Sequence, residues 1–213
     1  MKDYILFDFD GTVFDSAEGV IKSVQYALAK LGIEAELSEL MCFVGPPLNE
    51  SFAYKYGLSE ETANKAVELY RERYAPIGWT ECKPFEGMPE LLRKLRKDGK
   101  KLAVATSKPL FFAEKILQQH DMTDCFDIVC GAELDGTRSK KWEVIAYALE
   151  RFGITPEQAI MVGDRKYDIM GAKACGLDCI GVRFGYADEG ELEEHGAVYI
   201  AEDTDDLYEY LSN

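Results

Sequence analysis

Residues 4–16 read YILFDFDGTVFDS. This stretch decides the fold. Tyr4 to Phe7 is apolar at every position, the composition of a strand covered on both faces, as in a parallel sheet. The run then meets Asp8 and Asp10, two residues apart. The period of a strand is two, so both carboxylates point to the same side. Like charges repel, and a buried strand that aims two of them at one spot needs a reason.

Outward from this strand, residues 16–80 carry no strand pattern and read as helices over 16–31, 48–56 and 59–75, with apolar residues at helical spacing. From residue 88 the pattern alternates. A helix over 88–98 precedes the strand KLAVAT, 101–106. A helix over 109–119 starts at a proline, as a first turn permits. FDIVC is a strand, and KWEVIAYALERF is a helix closed by Gly153. AIMVG is a strand, 167–175 a helix, CIGV and AVYI are strands, and 204–212 is the last helix. Alternation of this kind specifies an α/β fold, a Rossmann-like parallel sheet covered by helices on both faces. The helical block is inserted after strand one. The expected division is a core of residues 1–15 and 82–213 and an all-helical domain over 16–81.

Composition narrows the partners. A chain of 213 residues that is 47% hydrophobic has enough apolar material for a core and too much for disorder. Its net charge of −15 is a poor match for nucleic acid or anionic lipid. None of the six cysteines forms a CxxC pair, and His120 and His195 lie far from ligand-like spacing, which argues against a thiolate zinc site. No secretory leader and no long apolar run is visible, so the expectation is a cytoplasmic protein with reduced thiols and no membrane partner.

The chemistry gathers at strand ends. The first strand ends in Asp8 and leads to Asp10, Gly11 and Thr12. Strand 101–106 ends in Thr106, Ser107 and Lys108, and strand 159–163 leads to Asp164 and Asp168. Lys140 and Lys141 open the helix before that strand. In open α/β sheets, ligands bind outside the carboxyl ends of the strands. Each acid alone reads as a solvated loop residue or a helix cap. Together with hydroxyls and a lysine they read as a site. Carboxylates tolerate one another around a divalent cation, and an all-oxygen donor set selects a hard ion, Mg²⁺.

These residues resemble the four motifs of the haloacid dehalogenase-like (HAD) superfamily, in family order: DFDGTVFDS, VATSK, SKKWEVI and MVGDRKYD. The insertion resembles that family's C1 cap, and the chain looks most like the phosphoglycolate phosphatase-like subgroup. The resemblance implies a phosphatase acting on a small phosphorylated metabolite, as a monomer or homodimer. It implies Asp8 as nucleophile, Asp10 as acid and base, Thr106 and Lys141 as phosphate-holding groups, and Mg²⁺ held by Asp8, Asp10 (through its carbonyl) and Asp164. Asp168 would order metal-bound water or the lysine. Gly11 would allow the turn after Asp10. Gly11, Thr12, Ser107 and Lys108 would bind the substrate at the phosphate site. Lys140 competes with Lys141 for the third motif, and Lys141 aligns better with the relatives' helix.

FVGPPLNESF, residues 43–52, resembles the specificity loop of such caps, with Gly45 and Pro46 as substrate contacts; an ordinary helix connection reads as well. Arg71 and Arg73 read as a solvated helix face. The alternatives are a nucleotidase or sugar phosphatase of the same superfamily and, less in keeping, a phosphomutase, whose usual His and Arg are here Val20 and Leu48. A receiver-like or non-catalytic phosphate-binding protein is the reading from another class. It lacks support from the helical insertion and from the full set of reactive residues.

Overall fold

The computed structural model describes residues 2–212. The apolar run Tyr4–Phe7 forms β1 and lies in the middle of a six-stranded sheet rather than at its edge. The following elements, in chain order, are β2 (Phe14–Asp15), α1 (Ala17–Lys30), α2 (Leu48–Tyr56), α3 (Glu60–Tyr74), β3 (Lys83–Pro84), α4 (Met88–Lys97), β4 (Lys101–Pro109) and α5 (Leu110–Gln119). Then come β5 (Ile128–Ala132), α6 (Lys141–Phe152), β6 (Ala159–Gly163), α7 (Lys166–Ala174), β7 (Asp178–Val182), α8 (Glu191–His195), β8 (Tyr199–Ala201) and α9 (Thr204–Ser212). The chain divides into two compact units, Asp15–Lys83 and the residues on either side of it.

In the sheet-containing unit the strand order is β5-β4-β1-β6-β7-β8, and every pairing is parallel. Tyr4 to Phe7 register with Lys101 to Val104 on one side and Ala159 to Val162 on the other. Continuous apolar runs form these strands because both faces are covered. On one face Leu6, Ala103, Ala105 and Met161 pack with Val144, Ile145 and Ala148 of α6 and Ile169 and Ala172 of α7. Ile5 and Phe7 alternate to the opposite face, where α4 and α5 contact β4 and β5.

The second unit is built from α1, α2 and α3 with a 3₁₀ segment at Leu37–Phe43. Phe43 packs on Phe52 with ring centroids 4.8 Å apart. Arg73 corrects the sequence expectation of a solvated face. Its guanidinium makes two hydrogen bonds to Glu81, of 2.8 and 2.9 Å, and a third to Ser23. Helical spacing could not show this, because Glu81 lies beyond the end of the helix.

Three further differences from the sequence reading have local causes. β4 continues past Thr106 to Pro109 through an irregularity between Ala105 and Pro109. Gly131 of β5 makes this continuation fit: a Cβ there would lie 2.8 Å from the Lys108 carbonyl oxygen. The two-residue strands β2 and β3, which pair with each other where the chain leaves and rejoins the first unit, are too short to show a period. The single turn and a half of α8 is likewise too short for an amphipathic pattern.

All six cysteines are free thiols. Among the described residues no helix is long and apolar enough to cross a membrane.

The central position of β1 sets an expectation for stability. Leu6 is fully buried in the cluster formed with α6 and α7. Leu6→Ala should cost about 2–5 kcal/mol in urea unfolding. A loss below about 1 kcal/mol would contradict close packing on that face.

Candidate active site

The carboxyl ends of β1, β4 and β6 carry the site. β1 ends at Phe7, and the Asp8 amide donates to the Val162 carbonyl of β6 at 2.8 Å, so Asp8 sits between its two neighbouring strands. The chain then turns. The Gly11 amide donates to Phe14 O at 2.9 Å, and the Val13 and Phe14 amides donate to Phe9 O. Gly11 has φ +86°, and a Cβ there would lie 2.1 Å from Asp164 Oδ2. Both the handedness of the turn and its approach to the acid therefore require glycine.

The carboxylates of Asp8, Asp164 and Asp168 converge, with one oxygen from each within 4.8 Å of the others. All three residues are buried. Lys141, the first residue of α6, reaches into this cluster: its Nζ lies 2.6 Å from Asp8 Oδ1 and 2.9 Å from Asp168 Oδ1. Lys140 is exposed at the cap of the same helix, and its amide donates to Glu143. Asp168 uses its other oxygen to accept the Arg165 amide at 3.0 Å, which closes the first turn of α7. Asp164 accepts the Thr12 hydroxyl on Oδ1 at 3.2 Å and the Tyr186 amide on Oδ2 at 2.9 Å.

The remaining predicted residues take these places. Asp10 is paired with Lys108, Nζ to Oδ1 2.8 Å. Thr106 is buried, and its Oγ1 accepts the Lys108 amide at 3.2 Å, which leaves the hydroxyl hydrogen available to donate. Ser107 is half-buried between them. Thr12 is fully buried and turned toward Asp164, and Lys108 is turned toward Asp10. Gly45 and Pro46 belong to the helical unit, on the turn that leads into α2.

Sequence reasoning missed Gly185, Tyr186 and Glu191. A Cβ on Gly185 would lie 2.2 Å from Asp164 Cβ, so the loop after β7 closes directly over the acid. Tyr186 contributes a backbone N–H, which leaves no trace in a side-chain pattern. Glu191 takes the Arg165 guanidinium on both oxygens, at 2.9 and 3.2 Å, and accepts the Lys166 amide at 2.7 Å. The only sequence signal was position, since this segment follows a strand.

Electrostatics identifies what the cluster lacks. Burial pushes the Asp8 carboxyl up to about 7; Lys141 opposes the rise, and Asp168 and Asp10 add to it. Burial, then the Asp168 and Asp8 charges, push Asp164 well above the ordinary carboxylate range. Burial alone would lower Lys141, but the Asp168 and Asp8 carboxylates outweigh it and hold it raised. Were all three buried acids ionised, one lysine would leave two negative charges uncompensated, and the raised Asp8 and Asp164 carboxyls express that cost, while Asp10 pairs with Lys108. A divalent cation on oxygen donors alone supplies that balance, so the residues fit Mg²⁺.

The haloacid dehalogenase-like hydrolase family model matches residues 5–182. The chain belongs to this family. It is 44% identical over 210 residues to a 5'-nucleotidase of Pseudomonas aeruginosa, covering 98% of this chain and 95% of that one. It is 40% identical over 183 residues to tyrosine-protein kinase PtkA of Mycobacterium tuberculosis, covering 85% of this chain and 62% of that protein. A crystal structure described as a predicted phosphatase from Clostridium acetobutylicum superposes with TM-score 0.96 at 44% identity, covering 99% and 98% of the two chains. Within the haloacid dehalogenase-like hydrolases, the chain is a phosphatase.

The buried acids set a pH expectation for the metal-free protein. A carboxyl whose pKa is raised from 3.8 to about 7 stabilises the fold below the lower value. That contribution is lost as pH rises through the higher one. Asp8→Asn has no such group. In chelator, its melting temperature relative to wild type should therefore rise from pH 5 to pH 8 by a few degrees, at about 2–4 °C per kcal/mol. A difference that stays flat or falls would contradict a raised Asp8.

Proposed function

We propose that the protein is a Mg²⁺-dependent phosphatase that hydrolyses small phosphate monoesters through an aspartyl-phosphate on Asp8. The observation that carries this is a buried carboxylate in contact with Lys141 and clustered with Asp164 and Asp168, two residues before a second acid, Asp10. Asp8 attacks phosphorus, and the bond from phosphorus to the leaving oxygen breaks. Asp10 gives its proton to that oxygen. As a carboxylate, Asp10 then takes a proton from the water that attacks the acyl phosphate, which releases phosphate and restores Asp8.

Thr106 donates its free hydroxyl hydrogen to a phosphate oxygen, with Ser107 and the turn at Gly11 alongside. Lys141 neutralises charge on Asp8 and on the transferring group. Asp168 orients Lys141, and Thr12 and the Tyr186 amide orient Asp164. Mg²⁺ would be held by the Asp8 and Asp164 carboxylates and the Asp10 carbonyl, and when bound it supplies positive charge to the carboxylates and the phosphoryl group.

A nucleoside monophosphate is favoured over phosphoglycolate, because the relative named 5'-nucleotidase matches at 44% identity over nearly the whole chain. The helical unit serves as the C1 cap, and its turn at Gly45 and Pro46 selects the leaving group. The enzyme works in the reducing cytoplasm as a monomer or homodimer, in keeping with six free thiols.

Phosphate release from a panel of monoesters tests the reading. Asp8→Asn should remain folded and lose at least about 10⁴-fold in kcat. Chelator should abolish wild-type activity and Mg²⁺ restore it. Turnover by Asp8→Asn near the wild-type rate would exclude the aspartyl-phosphate. Full activity in chelator would exclude the metal. Phosphoglycolate outranking nucleoside monophosphates in kcat/KM would return the chain to the phosphoglycolate subgroup.

The cap role has its own outcome. Leu48→Arg, at the start of α2, should reorder the panel while an activated aryl phosphate stays within about tenfold of wild type, roughly 1.4 kcal/mol in the barrier. An unchanged ranking in a folded variant would make the turn a plain helix connection.

A further inference from the structure

We infer that Lys108 is a positioning residue that holds the Asp10 carboxyl group for proton transfer, and that it does not itself take the substrate. This rests on Asp10 being the acid and base of the proposed reaction. The Lys108 ammonium lies 2.8 Å from Asp10 Oδ1, a charge-assisted hydrogen bond. The lysine side chain is 4% exposed and the aspartate 12%, so the pair is largely shielded from water and the aspartate is the more accessible partner. Oδ2 of Asp10 takes no hydrogen bond from the described residues, and it is the oxygen left to carry the proton.

The lysine is itself fixed at several points. Its amide donates to Thr106 Oγ1 at 3.2 Å. Its carbonyl is seated against Gly131, where a Cβ would lie 2.8 Å away. Its ammonium lies 5.7 Å from the centre of the Phe9 ring. Without that hold, the Asp10 side chain can rotate about two torsions. The backbone around it stays fixed by the turn from Phe9 to Phe14.

Positioning of the acid has a signature that substrate contact lacks. In the first step the leaving oxygen receives the electron pair of the broken P–O bond and the Asp10 proton. An alkoxide needs that proton, and 4-nitrophenolate scarcely does. The parameter kcat/KM reports steps up to transfer of the phosphoryl group to Asp8, so it isolates the acid role from the later hydrolysis. Lys108→Met removes the ammonium and keeps the apolar stem.

On the full-length protein with Mg²⁺, Lys108→Met should lower kcat/KM for glycerol 2-phosphate by about 100-fold, the scale of acid catalysis. For 4-nitrophenyl phosphate the loss should be no more than about threefold. Lys108→Arg should recover part of the alkyl-ester rate. The ratio of the two esters, measured on one preparation, cancels the amount of folded protein. If Lys108→Met folds poorly, Lys108→Gln is read by the same ratio. Equal loss on both esters would mean that Lys108 touches phosphate or acts only structurally, and it would overturn the inference, as would no loss on either. Asp10→Asn is the control. If it fails to penalise the alkyl ester selectively, or if Asp8→Asn keeps activity, the reaction scheme itself falls. If both controls behave and the Lys108 ratio is unchanged, only the inference about Lys108 falls.

Discussion

The Lys141 ammonium between Asp8 and Asp168 is the interaction on which the site depends. Each of these groups is buried, and a buried charge without a partner costs several kcal/mol. Removing the lysine would leave three carboxylates facing one another with no protein cation among them. Even with it, ionising all three acids would leave the cluster two charges short of neutrality. Full ionisation thus calls for positive charge that the protein's own side chains do not supply, at the carboxyl ends of its central strands. Such an arrangement opposes stability and is retained where a ligand or ion completes it.

Topology explains why the acids meet there. From β1 the sheet grows outward through β4 to β5 on one side and through β6 and β7 to β8 on the other. The strand order therefore reverses about β1, and at such a point the loops leave on opposite sides and open a crevice. Asp8 follows β1, Thr106 and Lys108 stand in the last residues of β4, and Asp164 follows β6. Parallel pairing puts all these ends at one edge. α6 precedes β6 and begins at the same edge, so its first residue, Lys141, reaches the acids. The glycines at 11 and 185 then let two further loops approach Asp164 more closely than any side chain would allow.

Much of this was legible because the features that made it are local. α6 and β6 have the predicted bounds, since Gly153 ends the helix and an unbroken apolar run forms the strand. Asp8, Asp164, Thr106 and Lys141 stood out because each stands at the end of an apolar strand run or begins a helix. What escaped notice depends on contacts distant in sequence. The extension of β4 depends on Gly131, the pairing of Arg73 on Glu81, and the lock on Arg165 on Glu191. Thr12 and Lys108 were visible as candidates, but the direction of a side chain is set by its partner, and Asp164 and Asp10 are far from them in sequence. The Tyr186 amide could not be found at all, because every residue but proline has one.

The same contacts bear on how an acidic enzyme handles an anion. Three buried cations stand at these strand ends: Lys141, Lys108 and Arg165. Each is committed to carboxylates, Lys141 to Asp8 and Asp168, Lys108 to Asp10, and Arg165 to Glu191. A phosphate group placed there would therefore meet neutral donors and shared cations, and under the proposed function the charge of Mg²⁺, rather than a dedicated cluster of lysines. In the proposed reaction the field of the site would grow effective as negative charge leaves Asp8 for the transferring group, because Lys141 is already aimed at that carboxylate. Interactions that strengthen in the transition state raise kcat, whereas those equally strong for phosphate itself would retain the product. Under the proposed reaction, committed lysines in a chain whose net charge is −15 would favour release.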